Sequence, residues 1–106
     1  MVRDGDTVVL KMTLGGNDEK VMMQVPELSE AGIKHVVLTG DVPLMCEGTV
    51  SNIRDRVAAV GGGFCMAEIP DSFSADTALR FMKMCGKYQL AVYETLEEAL
   101  EAIRDE

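Results

Sequence analysis

The sequence predicts an α/β fold: a single domain over residues 1–106, with a mostly parallel central sheet of about four to five strands, an N-terminal β-hairpin and helices packed against the sheet. Three observations predict it. The apolar runs "KHVVLT" (34–39) and "FCMAEI" (64–69) show little alternation, as expected of strands covered on both faces. Segments of helical period follow such runs, so strands alternate with helices and the connections are expected to be right-handed crossovers. A hydrophobic fraction of 47% in 106 residues is enough for one core.

Taken in order, "DTVVLKM" (6–12) reads as a strand and "LGGND" (14–18) as a turn. "KVMMQV" is open between a second strand, with Val21, Met23 and Val25 on one face, and the start of a helix; Pro26, which suits the first turn of a helix better than its interior, tips the reading to a strand ending at Val25. A short helix "PELSEAG" then ends at Gly32. After the strand at 34–39 and a loop at 40–48, Val50, Ile53, Val57 and Val60 recur at helical spacing with Arg54, Asp55 and Arg56 outward, until the glycines at 61–63 stop the helix. Beyond the strand at 64–69, Ser74 caps a helix whose apolar stripe is Ala78, Phe81, Met82 and Cys85, with Gly86 at its end. "YQLAVY" (88–93) reads as the last strand. Thr95, with Glu98 three residues on, forms a capping box for a final helix that turns Leu96, Ala99, Leu100 and Ile103 inward. Met22, Met23, Met82 and Met84 read as core filler, and Glu94, Glu97, Glu98 and Glu101 as a solvated face.

Composition excludes several classes of function. A net charge of −8 argues against nucleic acid and anionic membranes as partners. No apolar run approaches the roughly 20 residues of a membrane span, and the first residues lack the apolar block of a signal peptide, so a cytoplasmic protein is expected. Cys46, Cys65 and Cys85 are widely spaced without a CxxC pair, which suggests neither a disulfide framework nor a zinc site. Cys65 on an apolar strand and Cys85 on an apolar helix face read as inert core thiols. His35 alone offers no metal cluster; no metal or cofactor is expected.

That leaves the loop "PLMCEGTVSN" (43–52), which places Cys46, Glu47 and Gly48 between a strand and a helix. A thiolate there is stabilised by the free N–H groups of the helix start, so Cys46 is a candidate nucleophile. Thiol catalysis also needs a base, for which His35 is the only histidine, and a cysteine-phosphatase loop would need an Arg closer than Arg54. Phosphate binding fits poorly: "GGGF" (61–64) follows a helix and precedes a strand, the reverse of a dinucleotide fingerprint. Glu47 also puts a carboxylate where the helix start would hold an anion.

The order strand, loop ending in Gly48, helix, "GGGFCMAEIP", helix, strand and "YETLEEALEAI" resembles the STAS domain, the fold of bacterial anti-sigma factor antagonists and of the cytoplasmic tails of sulfate transporters. The resemblance covers roughly residues 34–104, and "TALRFMKMCG" followed by "VYETLEEALEAI" is its most specific piece. In the antagonists the loop reads Asp-Ser-Ser-Gly, and an anti-sigma factor that is also a kinase phosphorylates the second Ser. Here that motif falls on Met45, Cys46, Glu47 and Gly48, so Glu47 stands at the phosphosite.

The resemblance implies a non-enzymatic interaction module of bacterial regulation, with a serine-kinase-type anti-sigma factor as partner and a homodimer left open. The surface it implies comprises Leu44, Met45, Cys46, Glu47, Gly48, Thr49, Asn52 and Arg56, with Leu44 and Met45 as apolar anchors and Thr49 or Ser51 as alternative phosphosites. A carboxylate carries about one charge against about 1.5–2 on a phosphate, so Glu47 is expected to imitate the phosphorylated state weakly. An acidic residue at a helix start also stabilises by about 0.3–1 kcal/mol with no regulatory role. A nucleotide- or lipid-binding domain of the same fold, and a thiol enzyme using Cys46, stay open as alternatives.

Overall fold

The computed structural model describes residues 2–12, 32–44 and 47–104. The elements are β1 (Val2–Asp4), β2 (Thr7–Met12), β3 (His35–Gly40), a 3-10 turn (Val42–Leu44), α1 (Glu47–Ala59), β4 (Gly63–Ala67), α2 (Ala75–Tyr88), β5 (Ala91–Tyr93) and α3 (Leu96–Arg104). One 5-stranded sheet runs β1-β2-β3-β4-β5. Strands β2 to β5 are parallel, and β1 adds an antiparallel edge.

The expected hairpin is present but sits one strand earlier than the sequence reading placed it. The strand read at 6–12 begins at Thr7, and its antiparallel partner is Val2–Asp4, with Val2 opposite Val9 and Asp4 opposite Thr7. Gly5, at φ 61°, supplies the left-handed residue that so tight a turn requires. The turn read at 14–18, the strand ending at Val25, the helix leading to Gly32, and Met22 and Met23 lie outside the described residues.

Both faces of the sheet are covered, which is why β2, β3 and β4 do not alternate. Val8, Leu10 and Met12, with Val36, Leu38 and Met66, face α1 and α2 and meet Val50, Ile53, Val57 and Met84. Val9, Val37, Cys65 and Ala67 face the other way, against Ala99 of α3, with Leu96 and Ile103 alongside. Cys65 is therefore the buried core thiol expected. Cys85 is half-buried against the first cluster, and burial raises its pKa, the behaviour of an inert thiol.

Several boundaries differ from expectation, and the strand read at 64–69 ends at Ala67. Val60, read as the end of the α1 stripe, lies beyond the helix and is 38% exposed. Helix α2 runs through Gly86 to Tyr88, and Gln89, at φ 54°, ends it in the left-handed conformation. The last strand is correspondingly only Ala91–Tyr93. The inward face of α2 is Phe81, Met84, Cys85 and Tyr88, so Ala78 and Met82 of the expected stripe point outward, Met82 at 69% exposure. Caps follow expectation at both sites: the Thr77 N–H donates to Ser74 Oγ at 3.3 Å, and the Glu98 N–H donates to Thr95 Oγ1 at 3.2 Å. No helix among the described residues is long and apolar enough to cross a membrane.

Candidate functional site

Four parallel strands end on one edge of the sheet, and the connections leaving β3, β4 and β5 gather there. This is the edge where α/β sheets commonly place their sites. Gly40 allows the exit from β3: its φ is 83°, and a Cβ would stand 2.3 Å from the Met12 carbonyl oxygen. The 3-10 turn follows, and α1 opens on Glu47. Glu47 is thus the first helical residue rather than a residue ahead of the helix.

From there the residues of α1 divide. Val50, Ile53 and Val57 anchor the helix on the sheet, and Thr49 is buried with them. Gly48, Asn52 and Arg56 share an exposed face, as the sequence reading expected for Asn52 and Arg56. Thr49 is a correction: at 8% exposure its hydroxyl offers neither a docking contact nor a kinase target in this conformation. Ser51 is half-buried. Met45 and Cys46 lie outside the described residues, and Leu44 ends the 3-10 turn.

Glu47 does not stand free. Its Oε1 accepts from Lys87 Nζ at 2.9 Å and from the Tyr88 hydroxyl at 2.9 Å, so the end of α2 meets the start of α1. The Tyr88 ring is flanked by Arg54, 5.8 Å from its centre, and by the Lys87 ammonium at 5.3 Å. Lys87 and Glu47 are 65% and 50% exposed, so solvent screens the pair. The hydrogen bond from Lys87, then that from Tyr88, hold the Glu47 pKa below its ordinary value; the bond to Glu47 raises that of Lys87.

The Glu47 pKa is lowered by folding, so its stabilising contribution is present above the unfolded carboxylate range and is lost as pH falls through the lowered folded value. For Lys87 the folded value is raised, so its contribution is present below the ordinary lysine value and lost as pH rises through the raised one. Replacing Lys87 with Met is expected to raise the Glu47 pKa, read from its side-chain carboxyl carbon by NMR across acid pH. An unchanged titration would show that the lysine does not hold the carboxylate.

Two neighbouring grooves share Pro43 and Phe81, and the second of them reaches Glu47 and Lys87. One, of about 520 Å³, is floored by Ile69, Phe73, Phe81 and Tyr93, with Asp71 and Glu94 among its polar residues. The other, of about 560 Å³, runs along α2 between Glu47 and Arg80, Lys83 and Lys87, over Phe81 and Met84. Beside the first, Glu68 takes a left-handed φ of 53°, and its Oε2 accepts the Leu96 N–H at 2.8 Å, which caps α3.

His35 lies far from the loop. It opens β3 and the loop follows the strand's other end, about 16 Å away at the usual rise per residue. Its Nδ1 accepts the Gly63 N–H at 3.1 Å, a structural bond that ties β4 to β3. The Nδ1 of His35, the only histidine the thiol reading offers as a base, is engaged by this backbone bond, and Cys46 lies outside the described residues. Among the described residues no group of three or more His, Cys, Asp or Glu side chains converges as metal ligands would.

Lys87, Tyr88, Arg80 and Lys83 were not among the candidate residues in the sequence. For Arg80, Lys83 and Lys87 the signal was present as basic residues at intervals of three and four, on a segment whose end, with Tyr88, read as the start of a strand.

No family model matches the chain, and no curated protein matches it. The fold is similar to that of "NMR Structure of the protein TM1081", with a TM-score of 0.72 over 99% of this chain and 87% of that one, at 21% sequence identity. At that identity the likeness concerns the fold alone.

Proposed function

We propose that this protein is a STAS-like, non-enzymatic module of bacterial cytoplasmic regulation that docks on a serine-kinase-type anti-sigma factor, with Glu47 in the place of the phosphorylatable serine. The observation that carries the reading is the position of Glu47: exposed, first in the helix after the central strand, on the edge where the parallel strands end. Gly48, Asn52 and Arg56 extend the docking face. The grip of Lys87 and Tyr88 offsets part of the carboxylate's charge, so the loop presents less negative charge than a phosphorylated serine and stays competent to dock.

The test compares the parent with Glu47→Ser, each used to capture proteins from lysate of its own cells with ATP added. An ATP-binding regulator should be held by both, and phosphate should appear, by mass spectrometry, at position 47 of the variant only. Phosphate-free variant and no captured regulator would remove the reading. The groove floored by Ile69, Phe73 and Tyr93 favours a second reading, a nucleotide- or lipid-binding domain, which a ligand-dependent rise in melting temperature would reveal.

A further inference from the structure

The chain has 10 basic residues against 18 acidic ones. Three of the basic ones, Arg80, Lys83 and Lys87, line a single groove on α2. Spaced by three and four residues, they occupy one side of the helix and span about 10 Å along its axis. Lys87 already holds the Glu47 carboxylate, whereas Arg80 and Lys83 are exposed and make no ion pair among the described residues. Beneath the row lies an apolar floor of Pro43, Phe81 and Met84.

We infer that this groove receives an acidic segment of a partner protein, with its carboxylates on Arg80 and Lys83 and an apolar side chain over Phe81 and Met84. Charge complementarity selects the occupant. A cationic row on a molecule of net charge −8 concentrates attraction for an anion at one place, while the remaining surface repels extended polyanions such as nucleic acid and anionic lipid. The apolar floor selects a peptide over a small anion, since free phosphate gains nothing from Phe81 and Met84. Glu47 on Lys87 shows the same recognition within the molecule, a carboxylate seated at one end of the row.

The inference goes beyond the kinase reading, since it needs no phosphate transfer. It is tested by titrating the full chain, labelled with nitrogen-15, with a synthetic peptide of repeated Leu-Glu-Glu. Saturable shifts confined to residues 77–87 and the neighbouring 42–44 turn are expected. The double variant R80E/K83E should bind that peptide at least about tenfold more weakly and gain binding to the matching Leu-Lys-Lys peptide. R80Q/K83Q should show a smaller loss. Both pairs are exposed, so the melting temperature should not move, which separates lost binding from lost folding.

The inference is overturned by an absence of saturable shifts, by equal affinity in R80E/K83E, or by the same shifts with inorganic phosphate or phosphatidylglycerol vesicles alone. Phosphate at position 47 of Glu47→Ser is read separately, so either idea can fail while the other stands.

Discussion

Replacing Gly62 with alanine should cost on the order of 3 kcal/mol or more, a large part of the roughly 5–15 kcal/mol that holds an ordinary domain together and the largest effect expected of any single methyl in the described chain. A Cβ at this position would lie 1.4 Å from the Lys34 carbonyl oxygen and 2.4 Å from its carbon. The obstacle is backbone, so no side-chain rotation relieves it. The same backbone also sets the sheet's register: the Gly63 N–H donates to the Lys34 oxygen at 3.1 Å and to His35 Nδ1 at 3.1 Å, where β4 begins its pairing with β3.

Moving Lys34 aside to admit the methyl therefore breaks the first rungs of the central pair. Two neighbouring substitutions supply the contrast in the same urea-unfolding experiment. Gly61→Ala meets no atom within 4 Å but keeps a φ of 74°, so about 1–2 kcal/mol is expected from backbone strain alone. Gly86→Ala, in open space inside α2, should stabilise by about 0.5–1 kcal/mol. If all three behaved alike, close backbone approach would not be what distinguishes Gly62.

The glycines at 61–63 show how far the fold was legible. Their composition said that α1 must stop there, and it does. Period and composition carry no information about which backbone passes overhead, so the close approach at Gly62 was invisible. The α/β order and the two-sided burial of β3 and β4 were readable because each rests on a local pattern, an unbroken apolar run or a helical repeat. Helix α2 was harder. Ala78, Leu79, Phe81, Met82, Met84, Cys85 and Tyr88 make it apolar around much of its circumference, so several stripes fit the same period.

The choice between those stripes is made by tertiary packing, which turned Phe81, Met84, Cys85 and Tyr88 inward and left Met82 in solvent. Assigning Tyr88 to a strand also hid the end of α2. Gly86 looked like the stop, yet within a packed helix a glycine costs only about 1 kcal/mol, and the burial of Tyr88 beyond it offsets that. The consequence reaches the site. Glu47 was identified from its place in the loop, whereas its partners Lys87 and Tyr88 stand 40 and 41 residues away, and sequence spacing cannot pair side chains at that separation.

Ile53→Ala is expected to destabilise by about 2–5 kcal/mol, since Ile53 is fully buried between Val50 and Val57 on the face by which α1 grips the sheet. In a domain of this size each kcal/mol lowers the melting temperature by about 4–8 °C, so scanning calorimetry resolves even the low end of the range. Ile53→Val, which removes one methyl, should cost about 0.5–1.5 kcal/mol. The substitution also probes what holds the candidate site. Glu47 is tied to α2 only through exposed atoms, and solvent-screened contacts of that kind do not fix a helix in place. Ile53 and its neighbours must do so, and the Lys87 and Tyr88 contacts then form because α1 is already seated. In folded Ile53→Ala the loosened helix should therefore bring the Glu47 pKa back toward its ordinary value, even though no atom of the ion pair has changed. A Glu47 titration identical to the parent's, alongside a large loss of stability, would instead show that the first turn of α1 is held independently of the core beneath it.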